Sequence, residues 1–352
     1  TFGASRTEKI FKTHNIDMIY SLSKLNRSYN KSPFIPSDDK TFKERAEEIL
    51  NIQTTGLIKR LKSVNSSRLV LGLSGGLDST LASLIALRSL KQMNAPLTDL
   101  ITISMPGFGT SERTKNQARN LAHSLSSTFK EINISNAVSI HLKDIDQPEG
   151  LFDNTYENAQ ARERTQILFD YANKEKGMVL GTGDLSEIAL GWCTFGGDHL
   201  SNYNVNASVP KSLVKYLVKY YAEHYADSEL KNTLLLILDT TISPELLPIE
   251  DKEVISQSTE DVLGPYEIHD FILYHVIRNG FGREKIEYLT HKTFIKDYSK
   301  IIIEKTLNIF FKRFIENQFK RTTAPPGPKV GSVSLSPRGD WRQPDEAKLW
   351  KK

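Results

Sequence analysis

The sequence predicts an α/β protein, a doubly wound parallel sheet followed by extra C-terminal helices. Three observations lead there. Short apolar runs alternate with helical patterns up to about residue 200, a glycine-rich turn joins the first run to the helix after it, and only helical patterns continue beyond.

Taken in order, residues 1 to about 27 carry weak amphipathic character, with Phe2, Ile10, Phe11, Ile16, Ile19 and Leu22 among polar neighbours. The polar stretch 28–39 reads as a linker. From Thr41, Phe42, Ala46, Ile49, Leu50, Gln53, Leu57 and Leu61 recur at intervals of three and four, and Ser37, Asp38 and Asp39 offer N-caps. Leu69-Val-Leu-Gly-Leu73 is then a first strand, with a helix over 79–92. Strands are expected at 100–104, 129–134 and 178–180, and helices at 111–126 and 156–174. Helices over about 211–225, 229–238, 266–278 and 294–319 complete the chain before a tail rich in Pro, Gly, Ser and charge. The expected division is an N-terminal extension over 1–40, one domain over 41–321 and an extended tail over 322–352. No internal repeat is visible.

Composition narrows the function classes. The 352 residues carry 46 Lys and Arg against 42 Asp and Glu, so the net charge of +4 makes no case for nucleic acid or an anionic membrane. A single cysteine excludes an intrachain disulfide framework, a Cys-rich zinc site and a two-cysteine sulfur relay. No apolar run approaches the ~20 residues that span a bilayer. The opening residues lack an initiator methionine and a basic region followed by an apolar core, so a signal peptide is not expected. A cytoplasmic protein is the expectation, and the eight histidines show no metal-ligand spacing.

The most informative local stretch is Ser74-Gly75-Gly76-Leu77-Asp78-Ser79, between the first strand and its helix. Two glycines permit a sharp turn with N–H groups free for a ligand, and the helix N-terminus and the serine hydroxyls add donors; this is a phosphate cradle. It is not a Walker A loop, because an aspartate stands where the lysine would be. An aspartate beside phosphate is repulsive unless a divalent cation lies between them, so Asp78 implies Mg2+.

This turn resembles the pyrophosphatase loop of the N-type ATP pyrophosphatases, whose sheet is of the adenine-nucleotide α-hydrolase-like type. Members cleave ATP between the α and β phosphates and pass AMP to a carboxylate or carbonyl oxygen. Three further stretches narrow the acceptor: 105–113, beginning Met105-Pro-Gly-Phe-Gly; 156–165, Tyr156-Glu-Asn-Ala-Gln-Ala-Arg-Glu-Arg-Thr165; and 181–198, beginning Gly181-Thr-Gly-Asp-Leu-Ser-Glu. All three are expected to begin at the carboxyl ends of strands, where open α/β sheets bind ligands, and so to converge on the turn. Together they resemble the NAD synthetases, in particular the glutamine-dependent branch.

That resemblance implies an ATP-dependent adenylation of the nicotinate carboxylate of deamido-NAD+, followed by displacement of AMP by ammonia to give NAD+. It implies ATP contacts at Gly72, Leu73, Ser74, Gly75, Gly76, Leu77, Asp78, Ser79, Thr182, Lys211 and Ser243. Asp78 and Lys211 are the implied catalytic groups, and Asp78 and Glu187 the implied Mg2+ ligands. Deamido-NAD+ contacts are implied at Asn158, Arg162, Glu187, Trp192, Cys193, Thr194, Phe195 and Lys320. Asn158 and Arg162 share a helix face by their spacing of four. Read alone, Glu187 also suits an ordinary surface carboxylate, Arg162 a salt-bridged helix face, Trp192 and Phe195 a core, and Lys320 a helix C-terminus. Arg113 is a candidate phosphate contact.

Glutamine-dependent relatives carry a glutaminase domain with a nucleophilic cysteine. The one cysteine here, Cys193, lies inside the synthetase stretch and reads as a packed side chain. The expectation is therefore a chain without a glutaminase, with residues 1–40 a linker after such a domain. Ammonia would come from that separate domain or from solution, and the assembly would be a homodimer or higher homo-oligomer. A tRNA-modifying relative and a non-catalytic nucleotide-binding module remain as alternatives.

Overall fold

Successive strand residues face opposite sides, and that alternation builds the central layer. In the computed structural model, which describes His14, residues 25–239 and residues 259–349, Leu69 and Leu71 of strand β1 (Leu69–Gly72) enter one core while Val70 enters another on the opposite face. Strands β2 (Leu100–Ser104), β3 (Thr128–Glu131), β4 (Met178–Gly181) and β5 (Tyr203–Asn204) complete a sheet of order β3-β2-β1-β4-β5. Every pairing is parallel; Leu69 is in register with Leu100 on one side and Met178 on the other.

Helices cover both faces. In chain order they are α1 (Asp39–Ser63), α2 (Leu77–Met93), α3 (Glu112–Ser124), α4 (Ser135–Asp144), α5 (Asn154–Glu175), α6 (Leu185–Leu190), α7 (Lys211–His224), α8 (Ser228–Leu238), α9 (Thr259–Leu263), α10 (Tyr266–Ile277), α11 (Arg283–Phe294), α12 (Lys300–Glu316) and α13 (Gln318–Thr322). The first core joins β1 and β2 to α1, α2, α3, α7 and α8; the second joins them to α4 and α5. A third, separate core packs α6, α10, α11 and α12 around Phe271, Phe294 and Phe310. Val333 and Leu335, beyond the last helix, enter it, and Leu25, Tyr29 and Phe34 pack against its edge.

Caps fix where several helices begin. Asp38 accepts from Thr41 N–H at 2.8 Å to start α1, and Asp153 accepts from Thr155 N–H at 2.9 Å to start α5. The helix expected over about 294–319 begins later, at Lys300, where Ser299 caps α12 by accepting from Ile302 N–H, and it gives way to α13 after Glu316; α11, over Arg283–Phe294, is not among the expected helices. Strand β5 has two residues and α6 six, too short for any periodicity to mark.

The chain leaves β1 toward β2 and β3, then returns to the other side of β1 as β4. The strand order therefore reverses at the β1–β4 pair, and a crevice opens at their carboxyl ends.

Candidate functional site

The loop leaving β1 forms one wall of that crevice. Gly75 has φ +76°, and a Cβ there would meet the carbonyl oxygen of Thr114 at 3.2 Å, so the turn requires glycine. Gly76 is the N-cap of α2 and uses no side chain. The Ser74 and Ser79 hydroxyls lie 3.2 Å apart across the turn, and Ser79 Oγ donates to Gly76 O at 3.0 Å.

The loop leaving β4 forms the facing wall. Asp184 caps α6 by accepting from Glu187 N–H at 2.8 Å, and the Glu187 side chain accepts from Asp184 N–H at 3.4 Å, a reciprocal capping box. The two walls are tied by one buried side chain: Asn206 Nδ2 donates to Asp78 O and to Thr182 O, each at 3.0 Å. Gln53 Nε2 of α1 in turn donates to Asn206 Oδ1 at 3.2 Å.

Between the walls sits Lys211, the first residue of α7, 7% exposed. Its Nζ lies 2.6 Å from Asp78 Oδ2, 2.6 Å from Asp184 Oδ2 and 2.9 Å from Glu187 Oε1. The Tyr266 ring lies 5.4 Å from the same ammonium. Burial alone would weaken the lysine's hold on its proton, but Asp184, Asp78 and Glu187 outweigh it and hold the pKa well above the usual range. Burial also pushes the Asp184 carboxyl well above the carboxylate range. Lys211 opposes this, while Glu187 and Asp78 push it further. Glu187 is raised by the same balance, burial first.

The three acids fit a divalent cation. One oxygen from each lies within 4.8 Å of the others, and Asp78 Oδ1 is buried with no hydrogen-bond donor. When all three are ionised, Lys211 offsets one of their three charges, and the two that remain match one divalent ion.

Beyond α6 the chain forms a second group. Thr194 Oγ1 donates to Asn158 Oδ1 at 2.8 Å, and Arg162 Nη2 donates to Phe195 O at 3.1 Å, tying α5 to the loop after α6. Lys320 Nζ donates to Gly191 O at 2.9 Å and Cys193 O at 2.7 Å. Arg313 Nε and Asn317 Nδ2 both reach Leu190 O, and the fully buried Arg321 reaches Ala189 O at 2.8 Å. Two cations, Arg313 and Arg321, and the Asn317 amide thus satisfy the C-terminal carbonyls of α6, the end where a helix carries partial negative charge, and Lys320 holds the carbonyls just past it. Phe195 is 45% exposed and stacks on His199 with ring centroids 5.8 Å apart. Burial pushes the Cys193 thiol up to about 12, so it is not a thiolate at neutral pH.

The structure thus brings Asp78, Glu187 and Lys211 together, and separately Asn158, Arg162, Cys193, Thr194, Phe195 and Lys320. Glu187 stands with the acidic group, and Trp192 lies under Arg313, 5.0 Å from its guanidinium, at the edge of the third core. Thr182 contributes its carbonyl to the Asn206 bridge. Arg113 is exposed in the first turn of α3, and Ser243 lies outside the described residues. Sequence reasoning missed Asp184, Asn206 and Tyr266. Asp184 stands in the third stretch, three residues before Glu187, where a capping role explains it completely; Asn206 and Tyr266 carry no local signal.

Comparison with known proteins gives a consistent picture. The family model described as NAD synthase matches residues 49–324. A glutamine-dependent NAD(+) synthetase from Mycobacterium leprae is 42% identical over 93% of this chain and 52% of its own length. One from Mycobacterium tuberculosis is 41% identical over the same shares. The chain therefore spans about half the length of these curated relatives. The crystal structure of a glutamine-dependent NAD(+) synthetase from Cytophaga hutchinsonii matches with a TM-score of 0.69 at 19% identity, covering 86% of this chain and 54% of that one, a likeness of fold.

Proposed function

The chain belongs to the NAD synthase family, and from that premise we propose that it joins ammonia to deamido-NAD+ at the expense of ATP, releasing AMP and pyrophosphate. The observation that carries this reading is the Lys211 ammonium held among Asp78, Asp184 and Glu187 beside the Ser74–Ser79 turn, at the switch point of the sheet.

In this reading the backbone N–H groups and hydroxyls of 74–79 receive the ATP phosphates at the start of α2. Asp78, Glu187 and Asp184 would hold Mg2+, which supplies charge neutralisation at the phosphates. Lys211 adds a fixed positive charge for the developing pyrophosphate. The second group positions the dinucleotide: Phe195 offers an exposed ring face for an aromatic base, and Arg162 a cation for its pyrophosphate. The nicotinate carboxylate oxygen attacks the α-phosphorus and pyrophosphate leaves. Ammonia then attacks the carboxyl carbon of the mixed anhydride and AMP leaves, with one proton lost from the ammonia nitrogen. Positioning and charge neutralisation together supply the rate gain.

Ammonia comes from a glutaminase domain outside these residues or from solution. The reading includes a homodimer or higher homo-oligomer in the cytoplasm. Among the described residues no helix is long and apolar enough to cross a membrane.

The test is ATP–pyrophosphate exchange that depends on deamido-NAD+. Asp78→Asn should abolish exchange with the fold intact by circular dichroism. Exchange that needs tRNA instead, or none with any acceptor, would replace this reading by one of its alternatives.

A further inference from the structure

Helix α7 begins at Lys211, directly after Pro210, and Pro210 provides no side-chain cap. The first N–H groups of a helix have no partner within it and must find one elsewhere. Here they find partners on two other helices. Lys211 N–H donates to Ser186 Oγ of α6 at 2.9 Å, and Ser212 N–H donates to Asp270 Oδ2 of α10 at 3.0 Å. Ser186 Oγ in turn donates its own proton to Asp270 Oδ1. Asp270 is 1% exposed and has no ion pair among the described residues. Its hydrogen-bond donors are the Ser186 hydroxyl and the Ser212 amide, so both oxygens are committed to the start of the helix that carries Lys211.

We propose that Asp270 is a positioning residue for Lys211, capping α7 from another helix and, through Ser186, fixing the register of α7 against α6. Ser186 is the residue immediately before Glu187, so one carboxylate sets the cation and one of the anions around it. Asp270 itself touches neither phosphate nor dinucleotide; it acts through the placement of the Lys211 backbone. The inference rests on the synthetase reading for its activity readout, and its geometry stands apart from that reading.

Three variants test it. Asp270→Asn keeps the cap, because the amide oxygen accepts from Ser212 N–H while the amide nitrogen donates to Ser186 Oγ, leaving that hydroxyl to accept from Lys211 N–H. Asp270→Leu removes both acceptors at similar volume, and Ser186→Ala removes the Lys211 N–H acceptor together with the hydroxyl donor to Asp270 Oδ1, leaving the Ser212 N–H cap in place. In the exchange assay Asp270→Leu should lower kcat by about 10- to 100-fold with KM for deamido-NAD+ unchanged. Ser186→Ala should lower kcat by about 3- to 10-fold, and Asp270→Asn should stay within about 3-fold of the parent. In a Lys211→Met background, Ser186→Ala should cost nothing further. A parent-like kcat for both Asp270→Leu and Ser186→Ala overturns the proposal. So does an Asp270→Asn as damaged as Asp270→Leu, or a Ser186→Ala effect that multiplies with Lys211→Met.

If the parent protein shows no exchange, the synthetase reading fails and the cap is judged from urea unfolding. There the changes in the unfolding constant for Ser186→Ala and Lys211→Met should fall short of multiplying in the double variant by about 5-fold or more. Simple multiplication overturns the proposal on its own terms.

Discussion

Lys211→Met removes one charge and little volume, and it isolates what the ammonium does in the acidic group. Lys211 lies 2.6 Å from two carboxylates and 2.9 Å from a third, so the variant leaves three acids facing one another without a cation. Removing one partner of a buried ion pair costs about 3–5 kcal/mol. Asp78 and Glu187 keep side-chain exposures of 22% and 26%, so the lower end applies, about 3 kcal/mol. For a chain of this length that is about 4 °C in Tm. The pH dependence fixes the sign. Asp184 and Glu187 have folded pKa values raised above their unfolded ones. Their contribution to stability is therefore complete below the unfolded carboxylate range and is lost as pH rises through the raised values. Without Lys211 to oppose that rise, the Tm deficit should grow from pH 5 to pH 8. Magnesium chloride should narrow the deficit, since a ligand that binds the folded state at 100 times its Kd returns about 2.7 kcal/mol. Differential scanning calorimetry at pH 5 and pH 8, with and without magnesium, measures all of this. Equal Tm values for the two proteins at pH 8 without magnesium, or a deficit larger at pH 5, would refute the reasoning.

Further predictions follow from the turn, a buried imidazole and the cysteine. Gly75→Ala combines a φ of +76° with a Cβ 3.2 Å from Thr114 O and 3.3 Å from Gln117 Cβ, and should cost about 2–4 kcal/mol in urea unfolding. His269 is buried, donates through Nε2 to Leu263 O at 3.0 Å, and has its pKa lowered to about 4 by burial. A depressed histidine stabilises the fold above its unfolded pKa, so about 3 kcal/mol should be lost as pH falls from 6.5 to 4, and a His269→Gln variant should show a shallower acid limb. Iodoacetamide at pH 7.5 should label Cys193 about a thousand-fold more slowly in the native protein than in urea, and Cys193→Ala should retain ammonium-driven turnover.

Legibility followed range. The Ser74–Ser79 turn announces itself because everything it needs, two glycines, a strand before and a helix after, lies within a dozen residues. The parallel alternation is equally local, since each strand and its helix carry their own periodicity. Asp184 is the opposite case. Its side chain caps α6 and simultaneously meets an ammonium 27 positions along the chain, and sequence offers only the first of these roles. Asn206 joins two loops that are adjacent only because β1 and β4 pair, and Asp270 reaches α7 only because α10 packs beside it. Lys320 and Glu187 stood out through family likeness alone. The structure gives each a physical occupation, Lys320 on two carbonyls and Glu187 on Lys211.

Helix α6 has one consequence for how this protein can vary. Its first turn presents Asp184 and Glu187, and its last carbonyls are gripped by Arg313, Asn317 and Arg321, with Lys320 holding the residues just past it. Six residues of helix measure about 9 Å. With both ends pinned, α6 works as a ruler between the acidic group and the loop carrying Thr194 and Phe195. Inserting one residue would lengthen it by about 1.5 Å and rotate one end by about 100° against the other, swinging Glu187 away from Lys211 or tearing Gly191 from its cations. The gap between the two halves of the crevice is thus set in whole residues of this one helix, and insertions that surface loops absorb freely are closed to it.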